Sequence, residues 1–325
     1  MKPEVSIVIS NRNHGKYLAK CIESIENQSF SNYEIIITDD ASTDFSREIL
    51  KKYKEKKKFK IFFNDKSLGL TVNLINMIKV AKGNYICRQD SDDISDKFRL
   101  QILLDRFKKN QNLVLIGSSP NLIDKNGSLL KKTYQNRILV NKADFSQGNV
   151  LAHGSIMFKK KAYLNAGGYD MNFKYSQDYE LWLRLICQGN FQIINNKIYY
   201  LRIHDESISK LKTVEQNLFA VLAYIKNFVK DDRMYEILLK EMHTSDNDKT
   251  SIFIDHIRKL KKLDKINMIL SLLKKNQIHL ARSITRTLES NFHKRFFLII
   301  LNYRVLKILK NINKYKQKLY LFNRN

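Results

Sequence analysis

Two clusters of carboxylates, each closing an apolar run, carry the chemistry that this sequence offers. Asp39-Asp40 closes Tyr33-Glu34-Ile35-Ile36-Ile37-Thr38, and Asp90-Ser91-Asp92-Asp93 closes Asn84-Tyr85-Ile86-Cys87-Arg88-Gln89. In an open α/β sheet the carboxyl ends of parallel strands form the ligand crevice. Acids gathered there repel one another until a cation or a hydrogen-bonding ligand satisfies them. Oxygen donors at this spacing suit Mg²⁺ or Mn²⁺, ions that share their coordination with a phosphate-bearing substrate. The expectation is a metal–diphosphate site.

Each motif also has a plainer reading. Asp39-Asp40-Ala41-Ser42-Thr43-Asp44 can simply end a strand, with Ser42 or Asp44 capping the next helix. Asp93 is open to capping a helix that begins near Lys97. For Asp92 metal ligation is the preferred reading, because three carboxylates in four residues after a buried strand are costly without counter-charge. Arg202-x-His204 follows the strand Ile198-Tyr199-Tyr200-Leu201, and a lone His says little by itself. Asp178 near the start of an amphipathic helix suits the positive end of the helix dipole and needs no other role. Their order along one chain is what unites them, since each would meet the same crevice.

The elements that must position these residues alternate. Strands are predicted at Val5–Ser10, Ile35–Thr38, Phe59–Phe63, Tyr85–Gln89 and Leu113–Ser118, from short runs of β-branched and aromatic residues. Between them helical spacing is predicted over Tyr17–Asn27, Ser46–Lys54, Leu70–Ala81 and Lys97–Lys109. Such a βαβα rhythm implies a parallel sheet with helices on both faces. Asp124-Lys125-Asn126-Gly127 is a turn joining two short antiparallel pieces. Ser155–Lys159 and Ile198–Ile203 read as further strands, and Tyr179–Cys187 as a helix.

After about Ser209 the character changes. Residues 211–325 contain no Gly or Pro and hold 24 Lys and Arg against 10 Asp and Glu, a net of +14. No acid follows Glu289, while nine Lys or Arg do. This reads as a basic, predominantly helical region, with a boundary near residue 210. Phe292–Leu309 mixes a run of apolar residues with Arg295, Arg304 and Lys307, a pattern that suits an anionic membrane surface as well as packing on a neighbouring domain.

Composition sets the remaining bounds. With 325 residues, 43% hydrophobic and 11% aromatic, the chain holds a sizeable core, and its formal charge of +26 points to an anionic partner. Cys21, Cys87 and Cys187 stand far apart without a C-x-x-C pair, which argues against a disulfide scaffold or structural zinc and fits a reducing cytoplasm. The N-terminus leads straight into a strand, so no leader is expected. No window approaches ~20 apolar residues, so no membrane-spanning helix is expected.

Taken together, these segments resemble inverting glycosyltransferases of family 2 with the GT-A fold. Val5–Asn13 resembles the family's opening strand and nucleotide loop. Gln28–Asp44 resembles the second strand, Asn64–Leu70 the segment before the third helix, and Ala81–Ile86 the approach to the D-x-D motif. Asp90-Ser91-Asp92-Asp93 is similar to that motif itself. Ala166–Asp170 and Gln177–Arg184 resemble the acceptor-side loop and the helix bearing the base. The resemblance covers about two-thirds of the chain, with two departures. Gln177 stands where the family often has Glu, and Asn11-Arg12-Asn13 where an aromatic-Asn pair is common.

The resemblance implies a mainly parallel, Rossmann-like sheet flanked by helices over residues 1–210, followed by the basic helical region 211–325. It implies a nucleotide-diphosphate sugar as donor, a UDP-sugar first, held by Ser10, Asn11, Asn13, Asp39, Asp40, Asp90 and Arg202. Asp92 and His204 would hold Mn²⁺ or Mg²⁺. Asp178 would be the general base toward a hydroxyl of a glycan or a polyprenyl-diphosphate-linked acceptor. Surface polysaccharide synthesis at the inner face of the cytoplasmic membrane is the setting that this chemistry and the positive charge suggest.

Rival classes fit less well. A sugar-phosphate nucleotidyltransferase calls for a glycine-rich basic loop after the first strand, and Ser10–Gly15 has one glycine. No Walker loop or G-x-G-x-x-G occurs. Nucleic-acid binding would use the charge, but no helix-turn-helix, zinc finger or aromatic RNA motif occurs, and the clustered acids would oppose it. His153 in Ala152-His153-Gly154-Ser155 stays open between an acceptor-side and a structural role.

Overall fold

A computed structural model of the chain describes residues 2–133, 139–207, 211–229 and 232–243. Residues 1–145 with 149–223 form one compact unit, and 146–148 with 224–325 a second. Every motif singled out above lies in the first, apart from the basic segment Phe292–Leu309, which falls outside the described residues.

The first unit is built on an eight-stranded sheet. Its strands are β1 (Val5–Asn11), β2 (Tyr33–Asp39), β3 (Phe59–Phe63), β4 (Tyr85–Asp90), β6 (Leu113–Ser118), β9 (Leu139–Val140), β10 (Met157–Lys159) and β11 (Asn190–Ile194), in the order β3-β2-β1-β4-β10-β6-β11-β9. β1 to β4 are parallel, because each is followed by a helix that returns the chain to the same edge. Those helices are α1 (Gly15–Glu26), α2 (Ser46–Lys51) and α3 (Leu70–Val80), with α4 (Arg99–Lys109) after β4.

The predicted α/β alternation is therefore the observed fold, with local differences. The predicted strand at Ser155–Lys159 is a 3₁₀ turn, His153–Ser155, followed by the shorter β10. β10 runs antiparallel between β4 and β6. The strand β11 and a short helix α5 (Lys160–Asn165) were not anticipated.

Register decides what meets at the crevice. Ser10 on β1 stands opposite Thr38 on β2 and Asp90 on β4, and Asn11 stands opposite Asp39. Three neighbouring strands thus end level, and their last residues share one edge.

A second, four-stranded sheet brings the distant histidine to that edge. It comprises β5 (Ile94–Ser95), β7 (Asn121–Ile123), β8 (Leu129–Thr133) and β12 (Tyr199–Arg202), in the order β5-β12-β7-β8. The predicted turn at Asp124–Gly127 joins the antiparallel pair β7 and β8. β5 begins directly after the acidic motif, and its pairing of Ser95 with Tyr199 and Ile94 with Tyr200 places Arg202 and His204 beside Asp92.

Packing follows the apolar periodicities. β1 and β2 carry apolar side chains on both faces, with Val5, Ile9, Ile35, Ile36 and Ile37 all wholly buried. α1 buries Leu18, Cys21, Ile22 and Ile25 on one stripe, and α4 buries Leu100, Leu103, Leu104 and Phe107 at the i, i+3, i+4, i+7 spacing. Toward the end of this unit α6 (Gln177–Leu185) buries Trp182, and α7 (Thr213–Tyr224) sets Phe219 against Phe173, ring centroids 5.9 Å apart. In the second unit a π-helical turn at Ile225–Val229 precedes α8 (Asp232–His243), which buries Leu238. No helix among the described residues is long and apolar enough to cross a membrane.

Phe107 is a direct probe of this packing. It is 1% exposed and packs at a tilt against Tyr85, with ring centroids 4.7 Å apart. Phe107→Ala is expected to destabilise the fold by about 3–5 kcal/mol in urea unfolding, with an unchanged slope.

Candidate active site

The acidic motif turns at the end of β4 into a pocket of counter-charge. Arg88, only 1% exposed, donates from Nη2 to Asp90 Oδ1 at 2.5 Å and from Nη1 to the Gln89 carbonyl. Arg99, equally buried, donates to Gln89 Oε1 at 2.7 Å, Ser95 Oγ at 2.8 Å, and the Arg88 and Gly154 carbonyls at 2.8 and 2.7 Å. Arg202 donates from Nε to the Asp92 carbonyl at 2.7 Å and from Nη1 to the Asp124 and Lys125 carbonyls at 3.0 and 3.3 Å. Its guanidinium lies 4.6 Å from the centre of the Tyr17 ring. Its hydrogen bonds therefore hold the acidic turn and the β7–β8 turn together.

The three acids of the motif have different environments. Asp93 is buried and accepts from Tyr199 OH at 2.6 Å and from the Arg202 N–H at 2.7 Å. Burial, then the charges of Asp92 and Asp90, push its carboxyl well above the usual range. It does not cap α4, whose N-cap is Phe98; Asp96 accepts from the Phe98 N–H at 2.8 Å in the turn before the helix. Asp90 keeps a 35% exposed side chain, and an added Cβ on Gly154 would stand 2.5 Å from its Oδ2 and collide with the Tyr199 hydroxyl. Only glycine fits at position 154.

Asp92 faces histidines. His204 Nε2 lies 2.8 Å from Asp92 Oδ2, and His14 Nδ1 lies 4.0 Å from Oδ1 and 2.8 Å from Ser91 Oγ. Burial works against the ionised form of Asp92, but the His204 hydrogen bond and the nearby His14 outweigh it and hold its carboxyl low. One atom each from His14, Asp92 and His204 falls within 4.8 Å of the other two, a grouping that fits a metal ion. The expected pair Asp92 and His204 is thus brought together. His14 was missed, because a single His before Gly15 reads as the end of a strand loop; its place immediately after β1 was the available signal.

The second cluster lies in the loops after β1 and β2. Asp39, wholly buried, accepts from Asn11 Nδ2, the Ser42 N–H and Arg47 Nε, each at 3.0 Å. Asp40 accepts from Asn64 Nδ2, Ser67 Oγ, and the N–H groups of Leu68 and Gly69, at 2.7–3.0 Å. Ser10 Oγ accepts from Asn73 Nδ2 at 3.2 Å, and Asn13 Oδ1 accepts from the Thr43 N–H at 2.8 Å. Asp44 closes the network, accepting from the Ser46 N–H at 2.9 Å and the Gly15 N–H at 2.8 Å. It thereby holds an N–H at the start of both α2 and α1, although the N-cap of α2 is Phe45, without a side-chain capping bond.

Asp178 sits in the first turn of α6, half-buried, and accepts from Asn149 Nδ2 at 2.6 Å. His153 is half-buried, with Nε2 2.8 Å from Tyr169 OH and its ring against Trp182. Burial, then the Arg88 charge, pull the His153 pKa down to about 3. Tyr169 is close enough to feel the charges of both Asp178 and Asp90. Three non-glycine residues among those described have left-handed backbones, and all adjoin these motifs: Asn13, Ala41 and Ser176, with φ of 56°, 57° and 52°. Such local strain gathers at functional sites.

The family model for glycosyl transferase family 2 matches residues 6–166. The chain is 32% identical over 213 residues to the O-antigen biosynthesis glycosyltransferase WbnJ of Escherichia coli, covering 63% of this chain and 82% of that one. The chain belongs to glycosyltransferase family 2. It is also 30% identical over 222 residues to chondroitin synthase of Escherichia coli; the match takes in 68% of this chain but spans only about a third, 32%, of that longer protein. Among solved structures, residues 1–349 of Staphylococcus aureus TarS in complex with UDP-GlcNAc align with a TM-score of 0.59 at 16% identity, covering 98% of this chain and 92% of that one. That likeness concerns the fold, and it agrees with the GT-A arrangement of sheet and helices. As a family-2 glycosyltransferase the chain is an enzyme, and the crevice described here is its candidate active site.

Asp40 gives the pH dependence a sign. Burial raises its pKa, but the hydrogen bonds from Leu68, Asn73, Asn64 and Ser67 together outweigh this and leave it below the ordinary aspartate value. Its stabilising contribution is therefore full above the unfolded value of about 3.9 and is lost as pH falls through the lowered folded value. Asp40→Asn is expected to be less stable than wild type at pH 7 and to lose less further stability between pH 4 and 2, measured by urea unfolding at each pH.

Proposed function

We propose that this family-2 enzyme moves a sugar from a UDP-sugar to a hydroxyl of a glycan or lipid-linked acceptor, with inversion and with the help of a divalent cation. The observation that carries this reading is the acidic turn, where Asp92 meets His204 at 2.8 Å beside the exposed edge of Asp90. The UDP-GlcNAc complex of a protein of like fold supports the choice of donor. The named activities of the two relatives support a polysaccharide as product.

On the donor side, Asp90 offers Oδ2 toward the nucleotide while Arg88 fixes its other oxygen. Ser10, Asn11, Asn13, Asp39 and Asp40 shape the base and ribose pocket through the network between the first two loops. Asp92 and His204 are the ligands for the cation, which, when bound, neutralises charge developing on the departing diphosphate. Arg202 holds the acidic turn in register for them.

Across the crevice, Asp178 takes the proton of the acceptor hydroxyl. The hydroxyl oxygen forms its bond to the anomeric carbon as the carbon–oxygen bond to the diphosphate breaks, and UDP leaves with that electron pair. A single displacement inverts the anomeric centre, and no covalent enzyme intermediate forms. Asn149 orients the base through its hydrogen bond to Asp178 Oδ2.

We keep 211–325 as the basic C-terminal region, of which residues 211–223 pack with the first unit, and assign the remainder, on its charge, to an anionic membrane surface facing the cytoplasm. A polyprenyl-diphosphate acceptor would be presented there.

Calorimetric titration of UDP checks the donor side. UDP is expected to bind wild type more tightly with Mn²⁺ than without it, and Asp92→Asn is expected to abolish that difference. Equal binding with and without Mn²⁺, retained in the variant, would remove the metal from the reading. Asp178→Asn is expected to lower turnover by about 10²–10⁴-fold at unchanged UDP affinity, the range for loss of a general base. Asn149→Ala is expected to cost about 10- to 100-fold in turnover through misplacement of Asp178, with little effect on UDP affinity.

A further inference from the structure

We propose that the amino-terminal edge of the large sheet, opposite the catalytic crevice, is a binding face for an anionic glycan chain, held in a carboxamide-lined cavity at β6, β10 and β11.

Register defines this edge. Val5, Tyr33 and Tyr85 begin β1, β2 and β4 side by side, and Phe59 begins β3 opposite Ile35. β10 runs the other way, so its last residue, Lys159, meets Tyr85 at the same edge. Asn190 begins β11 opposite Leu113, which begins β6. The crevice acids lie at the other ends of these strands, roughly 20 Å away along a seven-residue strand such as β1.

Lysines gather on that edge. Residues 51–60, which lead into β3, hold seven lysines and one acid, Glu55. Lys82 precedes β4, Lys108 and Lys109 end α4 before β6, Lys159 ends β10, and Lys160 and Lys161 begin α5. Contacts across the strands join them into a row. Glu34 lies 2.7 Å from Lys60 Nζ and accepts from the Lys82 N–H at 2.5 Å. Lys160 Nζ donates to the Ala81 carbonyl and Lys159 Nζ to the Gln111 carbonyl, each at 2.6 Å. Those two ammonium groups thus spend a hydrogen bond on neutral carbonyls, and their charge stays available to an anion.

The cavity stands at the end of this row. Its volume is about 370 Å³, within the size range of ligand sites. Five carboxamides line it, those of Gln111, Asn112, Asn165, Gln188 and Asn190. Lys159 and Lys161 line it as well, and no carboxylate does. The backbone at Gly189 is bare by necessity, since a Cβ there would stand 2.6 Å from the Asn112 carbonyl oxygen.

This lining selects the ligand. A carboxamide offers donor and acceptor together, matching the hydroxyls of a sugar, and lysine offers donors to its acid group. Single-stranded nucleic acid calls for aromatic rings on which bases stack, and no aromatic residue lines the cavity. A membrane calls for apolar side chains to insert, and the apolar side chains of this lining are Val114 and Ala162, both buried.

Calorimetric titration of the full chain tests the proposal at about 0.15 M salt, where charges are screened beyond about 8 Å. The probes are a hexasaccharide carrying a carboxylate on alternate sugars, one carrying a phosphate instead, and neutral chitohexaose. Wild type is expected to bind at least one charged probe, and chitohexaose at least about tenfold more weakly. Saturating UDP with Mn²⁺ is expected to leave the charged probe bound. Lys159→Gln with Lys161→Gln is expected to lower its affinity about tenfold or more, and Asn165→Ala with Asn190→Ala about threefold or more. Lys20→Gln with Lys131→Gln removes the same charge elsewhere and is expected to change it less than about twofold. UDP affinity is expected to be the same in every variant, and a thermal melt shows that each is folded.

Binding of neither charged probe would overturn the proposal. Equal losses in the two lysine pairs would reduce it to diffuse attraction, and displacement of the probe by UDP would move the site to the crevice. A short oligothymidylate or phosphatidylglycerol vesicles that bind more tightly than either glycan, and are lost with Lys159 and Lys161, would give the face to nucleic acid or membrane instead.

Discussion

Three carboxylates in four residues, at the end of a buried strand, are the constraint around which this active-site edge is arranged. Each ion removed from water carries an effective penalty of several kcal/mol, and like charges a few ångströms apart add to it. The chain answers with buried arginines from three places. Arg88 precedes the motif by two residues on β4, Arg99 starts the following helix, and Arg202 ends β12. None of them reaches out as a free phosphate hook. Arg88 donates to a carboxylate, while Arg99 and Arg202 donate to backbone carbonyls, so the turn is held in place beside positive charge. The second sheet follows from the same need, because β12 must lie beside β5 for Arg202 and Tyr199 to reach Asp93. Even the glycine at 154 follows, since a side chain there would displace Asp90.

Strain is distributed in the same way. Asn tolerates a left-handed backbone readily, but Ala41 and Ser176 do so at a cost of order 1 kcal/mol or more. Each is held by neighbours. The Asp40 N–H donates to the Asn11 carbonyl at 2.8 Å just before Ala41, and Ser176 Oγ donates to the Gln216 carbonyl at 2.7 Å just before α6. The bend at Ala41 brings Asp40 under the N–H groups of Leu68 and Gly69, and the bend at Ser176 starts α6 so that Asp178 falls in its first turn. Local geometry that would be unfavourable alone is thus fixed by contacts from distant segments.

Much of this was legible in the sequence, for identifiable reasons. β1, β2 and β4 are continuous apolar runs ending in polar residues, a pattern that a buried parallel strand requires, and the acids at their ends mark the crevice. β10 and β11 were harder to read. Met157–Lys159 is three residues long and is a strand only because β4 and β6 offer edges on either side. The antiparallel direction of β10 depends on those partners and not on its own residues. Arg202 was legible as important but not in what it does, since a basic residue near acids suggests a ligand contact until its carbonyl partners are seen. His14 and Asn149 carried no periodicity or motif at all. Their significance comes from proximity across 78 and 29 residues of sequence, to Asp92 and Asp178 respectively.

The structure also separates acids whose oxygens the surrounding chain satisfies from acids it leaves partly open. Asp39, Asp40 and Asp93 are almost wholly buried, and their oxygens accept between two and four hydrogen bonds each from the surrounding chain. A carboxylate satisfied in this way is a fixed anchor, and losing it would loosen the loops that meet on it. Asp90 and Asp92 differ in kind. Asp90 has one oxygen clamped by Arg88 and a side chain still 35% exposed, while Asp92 is held mainly through its contact with His204. Sequence places all five in two short motifs of one residue type, and only their hydrogen-bond partners tell them apart. The anchors fix the loops that meet on them, and the two less committed carboxylates thereby keep a defined geometry at the same edge of the sheet.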